Sequence, residues 1–268
     1  MSRSLSSRGE YWFSLLAAGA EQRKGQCDSI LVADGELAGQ PVRFIAVVPD
    51  ANNHYPRAAG GEVGLLEGWT LAQVVSEAVT ADEGKAQKRA IVAVIDVPSQ
   101  AYGRREEAFG IHQALAGAAG TYAKARLAGH PVIGLIVGKA MSGAFLAHGY
   151  QANRLIAFND AGVTIHAMGK ESAARITLRS VASLEKLAAT IAPMAYDIGN
   201  YRSLGLLEQL LDIHDPLQAS EQELDHVRGT VAEAIAKTRR EGTGLSNRLG
   251  ADNRRSSSLV RERMRAEW

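Results

Sequence analysis

Two continuous apolar runs dominate the chain, AIVAVIDV at 90–97 and PVIGLIV at 131–137. Runs of this length, rich in β-branched residues and lacking a polar face, predict strands buried on both sides in a sheet flanked by helices. Two further runs, 29–33 and 42–48, are separated by the turn-forming stretch Asp34-Gly35-Glu36-Leu37-Ala38-Gly39 and predict a β-hairpin. After a polar loop over 49–61, Leu65, Leu66, Trp69, Leu71, Val74 and Val75 approximate helical spacing and predict a helix over 65–79. The same reading gives one long helix over 104–127, a short helix over 143–150, short strands at 154–158 and 163–165, and a mostly helical stretch over 184–211. Residues 212–216 form a strand or turn that closes the compact part. Strands alternating with helices predict an α/β fold with largely parallel strands.

Both ends differ from this middle. Arg3 and Arg8 precede an apolar stretch at 11–20 in which Ala18-Gly19-Ala20 has the look of a signal cleavage site. Glu10 sits against that stretch, and the chain's single cysteine, Cys27, lends no secretory support, so an N-terminal amphipathic helix is expected. Ser220 followed by Glu223 is a capping box that opens a final helix running to about Arg240. From Arg248 to Trp268 there are six Arg and three acids. This segment reads as a solvated or frayed tail, or as a docking segment anchored by Leu259, Val260, Met264 and Trp268.

Charge and composition narrow the function. Thirty Lys and Arg against 29 Asp and Glu give a formal charge of +1 over 268 residues, which argues against nucleic acid binding through a broad basic face. One cysteine excludes an internal disulfide and any cysteine-rich zinc site. Apolar runs fall far short of the roughly 18 residues of a membrane-spanning helix, so a cytoplasmic protein without membrane contact is expected. The seven histidines show no ligand spacing, so no metal site is expected. Small residues are in excess: 44 Ala and 27 Gly, with 18 of the 40 residues from 110 to 149 being one or the other. Backbones there must approach something closely.

The strongest chemical signal is VGKAMSGAFL at 137–146, where a buried strand runs through a small-residue bend into a helix. The amides of Gly143 and Ala144 should point out of the helix start and offer an anion site. Tight packing of helix on strand demands the same small residues, so spacing alone leaves both readings open.

At these residues the chain resembles the crotonase superfamily, and more closely the carboxyltransferase domains of biotin-dependent acyl-CoA carboxylases and decarboxylases. Their Lys-Ala-x-Gly-Gly-Ala element stands here as Lys139-Ala140-Met141-Ser142-Gly143-Ala144. The hairpin with its Asp34-Gly35 and Gly39-Gln40-Pro41-Val42 resembles the family's Asp-Gly-Arg-Pro-Val hairpin, and Ala59-Gly60-Gly61 its Gly-rich turn. Asp96-Val97-Pro98 stands where the family has Asp-Thr-Pro-Gly, and Ala167-Met168-Gly169 where it has Val-Met-Gly. Residues 205–216 resemble its closing Gly-x-x-Asp-x-x-x-x-Pro region, with Glu208 for the Asp. Ser99 and Ser142 replace two of the family's glycines. With the short chain and the strings AMSGAF and TIHAMGK, the resemblance is nearest to gamma subunits of biotin-independent malonate decarboxylases.

That resemblance implies a crotonase-like (ClpP/crotonase) spiral of ββα units with a helical C-terminal region. The implied division is an N-terminal helical segment over 1–28, the carboxyltransferase-like domain over 29–217, a C-terminal helix over 218–241 and a basic tail over 242–268. It further implies a beta subunit as partner in a heterodimer, an acyl carrier protein subunit and an alpha, acyl-transferase, subunit. The substrate would be a malonyl thioester on the carrier's coenzyme-A-derived arm, with no cofactor bound directly. Loss of CO2 places negative charge on the thioester oxygen, which Gly143 and Ala144 amides would stabilise. Ser142 and His166 are candidates for positioning or donating the proton, and Met141, Lys139, Ser99, Met168 and Gly169 for lining the substrate site. The turn could instead hold the carboxylate or CO2.

Two other classes compete. A Clp-type serine hydrolase would use Ser142 and His166, with Asp197 or Asp215 as third member, although Met141-Ser142 stands where that family has Ser-Met. A non-catalytic crotonase-like subunit would only complete a partner's fold. Asp96 is expected to cap the turn after its strand, and Tyr102, Arg104 and Arg105 either meet an anionic arm or lie on a solvated loop.

Overall fold

Trp12 carries the N-terminal segment into the core. In the computed structural model, which describes residues 7–23 and 27–268, the first helix is α1 (Arg8–Leu16) rather than 11–20, and Arg3 lies outside the described residues. The Ser7 hydroxyl caps it by accepting from Glu10 N, and Trp12 is fully buried edge-on to Phe158 with its ring N–H donated to Pro216 O at 2.8 Å. A strand that the hydrophobic pattern does not reveal, β1 (Glu21–Arg23), follows; all three of its residues are exposed.

The hairpin is β2 (Ile30–Leu37) and β3 (Gln40–Val47), antiparallel. Its connection is shorter than expected. Asp34 to Leu37 continue the strand, with Asp34 opposite Arg43, and the chain reverses at Ala38-Gly39, both at positive φ (49° and 71°). That backbone matches the right-handed twist of the two strands and tightens the turn to two residues.

Next come α2 (Leu65–Ala81) and the central strand β4 (Ala90–Val97). The single helix expected over 104–127 is broken into α3 (Arg104–Ala108) and α4 (Ile111–Leu127), because Gly110 adopts φ 81° between them. The second central strand, β5 (Val132–Met141), feeds α5 (Ser142–Ala147), and β6 (Arg154–Phe158) and β7 (Ile165–His166) follow.

The helical reading of 184–211 needs correction. Lys170–Ile176 forms α6, Val181–Ala188 forms α7, and a turn at Ala192–Met194 containing Pro193 separates them from α8 (Ile198–Ser203). Gln209–Leu211 is then a strand, β8, pairing with β6, so the closing strand lies before 212–216. The capping box at Ser220 opens α9 (Glu221–Glu241) with both reciprocal bonds made. The stretch 248–268 is solvated but not frayed: Arg248 is buried, and Arg255–Glu267 forms α10, whose side chains are largely exposed.

The strands lie in the order β1-β2-β3-β4-β5-β6-β8, parallel from β3 onward, with β7 paired to the last two residues of β5. Helices α1 and α9 pack on β3 to β6, while α2 and α4 pack on each other and on the sheet. A Cβ on Gly68 would lie 2.8 Å from the Ala114 backbone, so the excess of Ala and Gly in α4 and its partner lets two helix backbones meet. Where β4 meets β5 the register shifts between Ile95 and Val97. Asp96 fills that irregularity, accepting Lys139 N at 3.0 Å and Gly9 N at 3.2 Å. It therefore ties α1 to the end of β5 instead of capping the turn after its own strand. No helix among the described residues is long and apolar enough to cross a membrane.

Candidate functional site

The bend between β5 and α5 is built on a strained residue. Ser142 has φ 59°, a left-handed conformation that costs a non-glycine residue on the order of 1–2 kcal/mol. Its hydroxyl donates to Ala167 O at 2.7 Å, tying the bend to the loop after β7. The next amide, Gly143 N–H, is already engaged: it donates to the side-chain oxygen of Gln100 at 3.0 Å. Ala144 is fully buried behind it. The expected pair of free outward amides is thus corrected at Gly143, whose donor points out of the bend but carries a resident acceptor.

Ser142, Gly143 and His166 share one cavity of about 360 Å³, together with Tyr150, Pro193 and Tyr201. None of the described residues that line it is Asp, Glu, Lys or Arg. His166 is fixed on two sides. Its Nδ1 lies 3.1 Å from Met168 O and 3.3 Å from Met168 N, and its ring stacks on Tyr196 at 3.9 Å and 12°. Burial pushes the His166 pKa below its ordinary value, against a smaller opposing effect of the Met168 bond, which favours the neutral ring. No hydrogen bond to a described residue engages its Nε2.

A second cavity of about 440 Å³ lies beyond the His166–Tyr196 stack and shares Ala195 with the first. Met141 and Gly169 line it, with Lys170, Glu185, Tyr196 and Asp197. The residues singled out from the sequence are therefore divided. Met168 acts on His166 through its backbone and packs beside Ala173, Ala174 and Leu184. Lys139 is exposed and lines neither cavity, while Ser99 turns its hydroxyl onto Gln100 O. Gln100, Tyr150, Tyr196 and Tyr201 had no chemical signature in the sequence. Each enters through a loop or short helix whose position only the fold defines.

Among the described residues no hydrolytic triad is assembled on Ser142 and His166. Ser142 and His166 bond to Ala167 and Met168, not to each other. Asp197 caps α8 through Asn200 N at 2.9 Å, and Asp215 accepts Leu217 N. Among the other histidines, His148 is fully buried between Tyr122 OH at 3.1 Å and Val94 O at 3.0 Å, and His130 pairs with Arg89 O. Among the described residues no three metal-ligating side chains cluster.

Comparison with known proteins yields consistent relatives. The family described as the malonate decarboxylase gamma subunit matches residues 58–268. The chain is 32% identical over 225 residues, 82% of its length and 74% of the relative's, to the malonyl-S-ACP:biotin-protein carboxyltransferase MADD of Malonomonas rubra. It superposes with a TM-score of 0.94 and 60% identity on a chain of a Pseudomonas malonate decarboxylase hetero-tetramer in complex with coenzyme A, covering 98% of this chain and all of that one. A chain of the Pseudomonas MdcD-MdcE hetero-dimer gives 0.90 and 58%, with the same coverage. At 18% identity and a TM-score of 0.64, transcarboxylase 12S shares the fold over 87% of this chain and 40% of its own, which agrees with the crotonase-like carboxyltransferase architecture expected above.

Proposed function

Since the chain belongs to the malonate decarboxylase gamma-subunit family, we propose that with a beta subunit it forms a carboxyltransferase-like centre for decarboxylation. The substrate is a malonyl thioester on an acyl carrier protein, held by a coenzyme-A-derived arm, and the products are the acetyl thioester and CO2. An alpha subunit exchanges the acyl groups on the carrier, and the assembly works in the cytoplasm. The observation that supports this reading is the cavity shared by the strained Ser142-Gly143 bend and His166, with no Asp, Glu, Lys or Arg among the described residues that line it.

The chemistry follows from that cavity. In decarboxylation the bond between the carboxylate carbon and the α-carbon breaks, its electron pair passes into the thioester as an enolate, and CO2 leaves. Positive dipoles placed where that charge develops lower the barrier, and loss of one such donor typically costs 10²- to 10³-fold. The Gly143 N–H serves this purpose once the substrate oxygen replaces Gln100 Oε1. His166 Nε2 orients the water or acid that delivers a proton to the α-carbon, which completes the acetyl thioester. Ser142 holds the bend through Ala167 O and takes no covalent part.

Reconstitution tests the reading. The chain purified with its beta subunit and given a malonyl thioester of the carrier should release one CO2 per acetyl thioester formed, and the beta subunit alone should not. Stoichiometric fluorophosphonate labelling of Ser142 would instead point to a hydrolase. Normal turnover after disruption of the Ser142-Gly143 bend in an intact complex would leave this chain a structural role only.

A further inference from the structure

Among the described residues three arginines are buried, and they differ in one respect. Arg43 pairs with Asp34, and Arg154 pairs with Glu208 and Glu241. Arg248 is 7% exposed and has no carboxylate partner among the described residues. Its guanidinium donates to Tyr150 O at 2.8 Å and to Ala152 O, lies 5.7 Å over the Tyr150 ring, and leaves Nε buried without a partner. The charges around it do not compensate. Arg126 acts on it as a second cation, and Arg248 and Arg254 both act on Tyr201, whose hydroxyl is also buried without a partner. A buried charge without a counterion is among the costlier placements in a fold, and stability gives no account of it.

Its location does. Tyr150 and Tyr201 form one wall of the cavity that holds Ser142 and His166, and Arg248 stands behind that wall. We infer that Arg248 is a positioning residue for the anionic end of the substrate, a fixed cation whose field makes an otherwise uncharged cavity selective for a carboxylate-bearing acyl group. Resting on the decarboxylase reading, this deepens it by assigning the malonyl carboxylate and the later enolate to this cavity rather than to the one lined by Lys170 and Glu185. The field acts through the tyrosine layer and needs no contact with substrate. At roughly 10 Å and an effective dielectric of about 20, one unit charge alters the binding of another by on the order of ten-fold. Arg248 also links the C-terminal segment to the site, since Arg254 donates to Arg248 O at 2.7 Å and Asn253 to Ser203 O at the end of α8.

The test uses the complex of the full chain with its beta subunit. Arg248→Met removes the charge at similar volume, and Arg248→Lys keeps it while losing the forked hydrogen bonds. For each, KM for the malonyl thioester is compared with inhibition by the neutral acetyl thioester. Arg248→Met should raise malonyl KM about ten-fold while leaving acetyl inhibition within two-fold, and Arg248→Lys should restore most of the difference. Equal weakening of both ligands, or no change in either, overturns the inference. If Arg248→Met does not assemble, Arg254→Gln at the half-buried neighbour decides by the same comparison, with about three-fold expected for malonyl alone and an equal or absent effect overturning the inference. Absence of turnover in the unsubstituted complex would sink the decarboxylase reading itself, a distinct outcome.

Discussion

The side-chain oxygen of Gln100 accepts the backbone N–H of Gly143 at 3.0 Å, so the donor best placed to meet a developing negative charge is occupied before substrate arrives. Ligand binding exchanges one acceptor for another. A neutral hydrogen bond of this kind contributes about 1 kcal/mol net. Gln100→Ala should therefore lower KM for the malonyl thioester about three- to five-fold with kcat nearly unchanged, whereas Gln100→Glu, which tethers a carboxylate at the same amide, should raise KM at least ten-fold. Steady-state kinetics of the reconstituted complex distinguishes the two.

Ser142 offers a second test. Its left-handed φ and its bond to Ala167 O oppose each other energetically, each by about 1 kcal/mol. Ser142→Gly should leave the thermal midpoint within a few degrees and decarboxylation within a few-fold. Ser142→Val, with a branched Cβ at φ 59°, should lose 2 kcal/mol or more. Calorimetry alongside the rate checks both, and a loss of activity beyond 100-fold in a stably folded Ser142→Gly would show that the hydroxyl takes part in the chemistry.

Much of this arrangement was legible in the sequence and part of it was not, for reasons visible in particular residues. AIVAVIDV matches β4 residue for residue because both faces are buried and nothing competes with the strand. Ser220 and Glu223 mark the start of α9 because capping is local chemistry. β1 escaped because its residues face solvent, and the break at Gly110 escaped because a glycine inside an alanine-rich run carries no positional signal of its own. Ser142, Gly143 and His166 were singled out in the sequence and share one cavity in the fold, whereas Gln100 was not singled out: its bond to Gly143 depends on the side chain reaching across from the loop after β4, a tertiary relation without a motif. Arg248 lay in a stretch read as a solvated tail because its burial comes from wrapping over Tyr150 and Ala152.

Gly138 tests how the end of β5 is held. A Cβ there would lie 2.1 Å from Asp96 Oδ1, the oxygen that accepts Lys139 N. Gly138→Ala should cost about 2–4 kcal/mol, and considerably less in an Asp96→Ala background because the two substitutions act on one contact. Urea denaturation of the single and double variants measures the coupling, and simple additivity would contradict the contact.

His148 makes acid stability predictable. Complete burial lowers its pKa to about 4, against a smaller raising effect of the Val94 O bond. The unfolded chain, with a pKa of about 6.5, binds the proton first, so stability is present above pH 6.5 and is lost as pH falls from there toward 4, by about 3 kcal/mol in all. Proton uptake on unfolding near pH 5 should drop by about one in His148→Gln. An unchanged uptake would mean that His148 titrates normally in the fold.

In the proposed reaction the cavity beside Ser142 and His166 receives the malonyl thioester and Gly143 N–H meets its oxygen. The most direct measurement is a crystal structure of the complex with a malonyl-thioester analogue that cannot lose CO2. An analogue oxygen should lie within about 3 Å of Gly143 N in place of Gln100 Oε1, in hydrogen-bond geometry, with the acyl group beside His166 and the wall of Tyr150 and Tyr201. An analogue seated in the cavity of Lys170 and Glu185, with Gln100 still bonded to Gly143, would contradict it.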